Sequence, residues 1–90
     1  KLDTISQKNR IGVLGTTVIA AFVDSVLGVK NDFFVEENTS RFGSQFRGKR
    51  VIHPSSLDQK DCLTLPYGAS NSGISERFSR NYQLTRFEMI

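Results

Sequence analysis

The side chains that most often carry out chemistry are sparse in this sequence, which has a single histidine, His53, and a single cysteine, Cys62. One histidine excludes a multi-histidine metal site, and one cysteine excludes an intramolecular disulfide and a cysteine-based metal framework. Serine and threonine are abundant but share that one histidine, and no glycine-rich phosphate loop or paired-carboxylate motif stands out. We therefore expect a chain that is not an enzyme and that holds neither a metal nor a cofactor.

Functional groups are concentrated over residues 41–52, where basic, aromatic and glycine residues alternate. Such a mixture can stack on a nucleic-acid strand, contact anionic lipid near a membrane, or bind acidic residues of a protein partner. The net charge of +3 is too small to argue for nucleic acid by itself. With an apolar segment nearby, the sequence favours contact with a partner or with lipid through Arg41, Phe42, Phe46, Arg47, Lys49 and Arg50.

Two further groups of apolar residues are candidates for contact with a partner. Phe33 and Phe34 follow the apolar segment and suit either a membrane interface or an ordinary core contact. Apolar residues at every fourth position then predict a short amphipathic helix over about residues 73–83. Its three anchors suit a groove on another protein better than a core of this chain, and they are Ile74, Phe78 and Tyr82.

The element that must position these groups is the apolar stretch over residues 11–29, in which the only charge is Asp24. A membrane span needs about 20 mostly apolar residues to cross roughly 30 Å at 1.5 Å per residue. A carboxylate near the centre of a span costs roughly 2.5–3.5 kcal/mol, but Asp24 lies in the last third and the apolar residues offset it. The sequence therefore predicts one transmembrane helix at residues 11–29.

A helical wheel divides this stretch into a bulky side and a side of small residues. The small residues recur at every fourth position and let two backbones approach closely in lipid. An ionisable group among them should be buried against a partner, while the bulky side meets acyl chains or larger neighbours. The predicted docking face for a partner helix consists of Gly12, Thr16, Ala20, Asp24 and Gly28.

Two other interpretations of the same stretch remain open. One is a soluble amphipathic helix whose weakly polar side faces water, although a solvated face normally carries several charges and this one has only Asp24. The other is a pair of buried strands, which the β-branched residues and Gly15 favour.

The predicted fold class is mainly α with much irregular chain. Ninety residues form at most one small domain, and about 60 residues outside a span are too few for a deep core. We expect a polar segment at residues 1–10, the transmembrane helix at 11–29 and an extension at 30–90. That extension should be ordered only by its partners.

In layout, the sequence resembles the small accessory subunits of respiratory and photosynthetic membrane complexes, although no functional residue is carried over. The resemblance implies a structural subunit that ties neighbours together in a larger membrane complex, with a thylakoid photosystem favoured over the mitochondrial inner membrane. The positive-inside rule favours a carboxyl side that faces cytoplasm, stroma or matrix. The alternative is a small soluble binding module with a core apolar helix and a basic loop that grips an anionic partner.

Overall fold

The computed structural model describes residues 10–37 and 45–90, and it shows a six-stranded sheet with two helices. The strands are β1 (Ile11–Leu14), β2 (Phe33–Val35), β3 (Gln45–Phe46), β4 (Lys49–Ile52), β5 (Cys62–Leu65) and β6 (Phe87–Met89). The helices are α1 (Val18–Leu27) and α2 (Asn71–Tyr82), with short 3-10 turns at Gly28–Lys30, Pro54–Ser56 and Gly68–Ser70. The protein is mixed α/β, so the predicted mainly-α fold with a single span is wrong.

The strands lie in the order β3-β4-β2-β1-β5-β6, and all are parallel except β3, which forms an antiparallel hairpin with β4. From β1 the chain moves outward to β2 and β4, and it then crosses to the other side of β1 for β5 and β6. Renumbered among the parallel strands alone, this order is 3-2-1-4-5, the order of doubly wound dinucleotide-binding folds.

The two helices cover opposite faces of the sheet. On one face, Ala20 and Val23 of α1 pack on Val13, Phe34 and Val51. On the other face, Phe78 of α2 packs on strand residues whose side chains point away from α1: Phe33, Val35, Leu63 and Leu65. Because successive strand residues point to opposite faces, the continuous apolar run of β2 supplies both cores, whereas β5 supplies only the core under α2.

The apolar stretch over residues 11–29 is a strand, a tight turn and a helix rather than one long helix. Gly15 has a φ of 102°, and its N–H donates to the Val35 carbonyl across the sheet at 2.8 Å. This left-handed conformation, which favours glycine, ends β1 and lets α1 begin three residues later.

The predicted membrane location depended on one long helix over residues 11–29, and the structure has no such helix. Among residues 10–37 and 45–90, no helix is long and apolar enough to cross a membrane. α1 has 10 residues, about 15 Å at 1.5 Å per residue, or half the span of the hydrocarbon. The predicted transmembrane helix, the single-pass topology and the thylakoid or mitochondrial membrane location are therefore wrong.

Residues 30–90 contribute most of the sheet instead of an irregular extension. Phe33 and Phe34 are buried on opposite faces of β2, at 1% and 0% exposure. Part of the predicted basic loop forms the β3–β4 hairpin, in which Arg47 and Gly48 have positive φ. Arg41 and Phe42 lie outside the described residues.

Candidate functional site

The carboxyl ends of β1 and β5 form the point at which the strand order reverses. Beyond them the chain leaves in opposite directions, through residues 15–17 towards α1 and through residues 66–70 towards α2. In open α/β sheets, ligands bind in the crevice outside the carboxyl ends of the strands at this reversal. We call this region, together with the residues that follow β2, the carboxyl-edge site.

The turn between β1 and α1 follows part of the spacing that dinucleotide-binding turns use. Gly15 occupies the first position, where a tight turn is needed, and Ala20 occupies the sixth, where a small side chain lets the helix pack on the strand. Ala20 is fully buried. Thr17 stands at the third position, where a glycine normally lets the backbone approach a pyrophosphate. The turn thus has two of three features and departs at the one that contacts phosphate.

An acidic residue lies beside this turn, at the carboxyl end of β2. The Thr16 hydroxyl donates to Glu36 Oε2 at 2.8 Å, and the Glu36 N–H donates to the Ile52 carbonyl at 2.9 Å. Glu36 follows Gly15 by 21 positions (36 minus 15). An acidic residue about 20 positions after the glycine turn is the group that accepts ribose hydroxyls in dinucleotide-binding folds. Glu36 as a whole is half-buried.

Tyr67 forms the wall of the site on the β5 side. Its hydroxyl donates to the Leu14 carbonyl at 2.8 Å and lies within contact distance of Gly15, where a β-carbon would collide with it. The need for glycine at position 15 therefore comes from two causes, the positive φ and the close approach of Tyr67. Burial raises the pKa of Tyr67, so the phenol stays protonated and remains a donor.

A second polar cluster follows the carboxyl ends of β2 and β4. Glu37 Oε2 accepts hydrogen bonds from Arg77 Nη1 at 2.6 Å and from the Tyr82 hydroxyl at 3.0 Å. Burial acts to raise the pKa of Glu37, but these two hydrogen bonds outweigh it and lower that pKa. The ring of His53 lies edge-on to Tyr82 at 5.8 Å, and its Nδ1 contacts the Ser55 hydroxyl at 2.9 Å. The cluster fastens α2 to the strand ends, next to Glu36.

At the opposite edge of the sheet, the basic residues of the β3–β4 hairpin bind Asp24 of α1. Arg47 Nε donates to Asp24 Oδ2 at 2.8 Å, and Lys49 Nζ donates to Asp24 Oδ1 at 2.6 Å. Asn31 also donates to Asp24, and Lys49 also caps the Gly28 carbonyl after α1. Burial acts to raise the pKa of Asp24, but the bonds from Asn31, Lys49 and Arg47 outweigh it and lower the pKa to about 2.

The predicted docking face of small residues is used inside this chain. Thr16, Ala20 and Asp24 are buried, and Gly12 lies so close to the Phe33 ring that a β-carbon there would collide with it. Gly28 ends α1 with a φ of 60°. Ala20 packs α1 on its own sheet and Asp24 binds the β3–β4 hairpin, whereas Gly12 faces Phe33 on the other side of the sheet.

The bulky residues of α1 point away from the sheet and are exposed. Val18 is 84% exposed, Phe22 68% and Val26 71%. Val29 beyond the helix is 95% exposed, and Ile19 and Ile90 are 48% and 63% exposed. We call these residues the apolar patch: Val18, Ile19, Phe22, Val26, Val29 and Ile90.

The remaining predicted contact residues mostly serve the two cores. Phe46 packs edge-on against Phe34 at 4.9 Å between ring centroids. Phe78 is fully buried, with Ile74 and Tyr82 packed beside it, so the three anchors of α2 contact this chain's own sheet. Arg50 is exposed on β4.

Neither candidate for single-residue chemistry gains a catalytic setting. Burial raises the pKa of the Cys62 thiol, which disfavours the reactive thiolate. His53 makes local bonds that begin the Pro54–Ser56 turn. Within the described ranges, no group of three His, Cys, Asp or Glu side chains is placed to hold a metal ion.

Comparisons with known proteins return no match, whether to family models, to curated proteins or to solved structures. The geometry of the site is therefore the basis for any functional argument.

Reasoning from the sequence missed Glu36 and Tyr67. The signal was present in part: a β-branched strand, a glycine, two threonines and a helix, followed by an acidic residue after the apolar Phe33–Val35 segment. What the sequence lacked was the strand order, which alone brings Glu36 and Tyr67 to the two sides of one turn.

Proposed function

We propose that this chain is a small binding module for a nucleotide-type ligand, taken at the carboxyl-edge site. Glu36 would accept hydrogen bonds from ligand hydroxyls, and the first turn of α1 would face its phosphate. The observation that carries the proposal is the position of Glu36, hydrogen-bonded to Thr16 at the strand-order reversal of a doubly wound sheet. Strand order alone does not give function, so the argument depends on these two residues.

The chemistry of each group fits such a ligand. The first N–H groups of a helix lack intrahelical partners, and the helix dipole adds a partial positive charge there. A carboxylate accepts two hydroxyl donors at once, which suits the adjacent hydroxyls of a ribose. The Thr16 hydroxyl fixes the position of Glu36 Oε2 by donating a hydrogen bond to it at 2.8 Å.

The departures from the dinucleotide pattern limit the kinds of ligand that the site can accept. Thr17 replaces the glycine that admits a pyrophosphate, and the Tyr67 hydroxyl covers Gly15. Both restrict how closely a phosphate can approach the backbone. We therefore favour a mononucleotide, whose phosphate end is not held between two nucleosides, over a dinucleotide laid across both halves of the sheet.

The sequence suggested a binding module whose basic loop holds an anionic partner. We propose a binding module as well, but with the anionic ligand at the carboxyl-edge site. Asp24 already binds Arg47 and Lys49, so those two cations have a carboxylate partner within the chain. A free anion would have to compete with Asp24 for them. The first hypothesis, a structural subunit of a membrane complex, depended on a transmembrane helix at residues 11–29, and the part of the chain that the structure describes has no such helix.

The test is a titration of the ¹⁵N-labelled protein followed by amide chemical shifts, with ADP, NAD and, separately, adenosine and inorganic phosphate. We expect saturable shifts at residues 15–18 and 36 with ADP, weaker shifts with NAD, and small ones with either fragment. Glu36→Gln should weaken ADP binding about tenfold or more, because a hydrogen bond to a charged group is worth roughly 1.5–3 kcal/mol.

The matched control is Glu88→Gln, which changes an exposed carboxylate on β6. It should bind ADP as the unaltered protein does. Failure of ADP to shift residues 15–18 at millimolar concentration would contradict the proposal, and so would equal affinity of Glu36→Gln.

A further inference from the structure

We propose that a second copy of this chain covers the apolar patch, so that two α1 helices pack against each other around a two-fold axis. The patch differs from an ordinary protein surface because its exposed side chains are large and apolar. Monomeric proteins seldom expose a contiguous set of large apolar side chains along one helix, and such sets mark contact sites. The inference does not rest on the nucleotide proposal. The patch is defined by exposed apolar side chains, whereas the carboxyl-edge site uses the backbone of the first turn of α1 with Glu36 and Tyr67.

The size of the patch matches what a stable dimer needs. With 48–95% of each of its six residues exposed, the patch presents on the order of 700 Å². Standard protein interfaces bury about 800 Å² on each partner, and the smallest stable ones about 600 Å². Two copies of this chain therefore bring enough apolar surface without any further element.

The charge distribution suits self-association. A two-fold axis places each residue near it against its own copy, so a charge there would face a like charge. α1 carries a single charged residue, Asp24, which is buried and bound to Arg47 and Lys49 on the inner side. The outward positions of α1 are apolar or, at Ser25, neutral. No like charges would meet at an axis through this helix.

The shape of the patch offers both a projection and a recess. A groove of about 270 Å³ runs beside α1, between Ile19 and Val26 on one side and Pro66 and Ile90 on the other. The ring of Phe22 stands at the rim of this groove and is 68% exposed. In a two-fold contact, each copy can insert its Phe22 into the groove of the other, and aromatic side chains seated in pockets dominate interface energies.

The first experiment measures mass by sedimentation equilibrium from 1 to 200 µM. We expect a concentration-dependent rise from the chain mass of 10.1 kDa to twice that mass. Val26→Glu puts a charge into the contact and should raise the dissociation constant at least a hundredfold. Ser79→Glu adds the same charge on exposed α2, across the sheet, and should leave dimerisation unchanged.

The second experiment is disulfide cross-linking in a Cys62→Ser background. Phe22→Cys should form a covalent dimer under mild oxidation, because the axis brings the two copies of residue 22 together, whereas Ser79→Cys should not. Unaltered protein that stays monomeric across the range, or Val26→Glu that dimerises equally well, would overturn the proposal. So would equal cross-linking of the Phe22→Cys and Ser79→Cys variants.

Discussion

Helices α1 and α2 cover opposite faces of one sheet, yet their outward surfaces differ in kind. The exposed positions of α2 include Ser72, Glu76 and Arg80, as expected of a helix with one face in water. The exposed positions of α1 include Val18, Phe22 and Val26. Each helix buries enough to hold its face of the sheet, through Phe78 in one case and through Ala20 and Val23 in the other.

The difference shows that apolar density and burial are separate quantities. α1 is the more apolar helix, but it buries only Ala20 and Val23 among its apolar residues and exposes Val18, Phe22 and Val26. α2 is polar on balance, and it buries one large aromatic ring, Phe78. The apolar residues on the outside of α1 therefore contribute little to the fold of the single chain. Their effect should appear in association, whereas the effect of Phe78 should appear in folding.

Truncating one phenylalanine on each helix tests most directly whether the two helices contribute differently to folding. Phe78→Ala should lower the free energy of unfolding by about 3–5 kcal/mol, because it leaves a cavity in a fully packed core. Phe22→Ala should change it by less than about 0.5 kcal/mol, since the ring is mostly exposed in one chain. Urea unfolding at submicromolar protein, where a dimer would dissociate, measures both. A cost for Phe22→Ala as large as that for Phe78→Ala would show that the patch is packed within the single chain.

The two sides of α1 can be compared by enlarging two adjacent alanines. Ala20→Leu should cost about 3 kcal/mol, at the upper end of the range for overpacking, because Ala20 is fully buried between α1 and β1. Ala21→Leu adds the same atoms at a half-buried position and should cost less than about 1 kcal/mol. Thermal unfolding of the pair would reveal similar losses if α1 were free to shift on the sheet.

The sequence predicted the division of α1 but not its surroundings. The helical wheel separates small residues such as Ala20 from bulky ones such as Phe22. In the structure Ala20 is buried and Phe22 is exposed, but Ser25, from the small side, is exposed as well. Small side chains permit close approach to a membrane helix and to a sheet alike, so the pattern does not identify the neighbour. Apolar density over residues 11–29 likewise could not distinguish one span from a buried strand followed by a helix.

Gly15 was the residue that could have corrected the prediction of one long helix over residues 11–29. Two buried strands remained an alternative because of Gly15, and the structure has one strand there, ended by that glycine. The candidate site was beyond prediction for a different reason. Glu36 lies 21 positions after Gly15, and Tyr67 lies two residues after β5, a strand whose neighbours depend on the whole topology. No local pattern fixes a strand order, so no local pattern places these side chains around one turn.

The ion pairs that hold the two helices differ in how deeply their carboxylates are buried. Asp24 on α1 is 5% exposed, whereas Glu37, which binds Arg77 on α2, has a side chain that is 34% exposed. Asp24 has a pKa of about 2 in the fold against an ordinary value of 3.8, so its carboxylate binds protons less readily when folded. A lowered folded pKa stabilises the protein fully above pH 4, and the stabilisation is lost as the pH falls through about 2. The shift corresponds to roughly 2 kcal/mol.

Asp24→Asn should remove that pH dependence, because an amide does not titrate. Its single oxygen can replace only one of the two acceptors that Lys49 and Arg47 use. Subtracting the unfolding free energy of this variant from that of the unaltered protein should give a difference that shrinks by roughly 2 kcal/mol between pH 6 and pH 2. Glu37→Gln should change the same difference much less, since solvent screens a partly exposed pair. If both variants gave equal pH profiles, Asp24 would not be the buried charge that holds the β3–β4 hairpin to α1, and the contrast between the two helices would reduce to their outward surfaces alone.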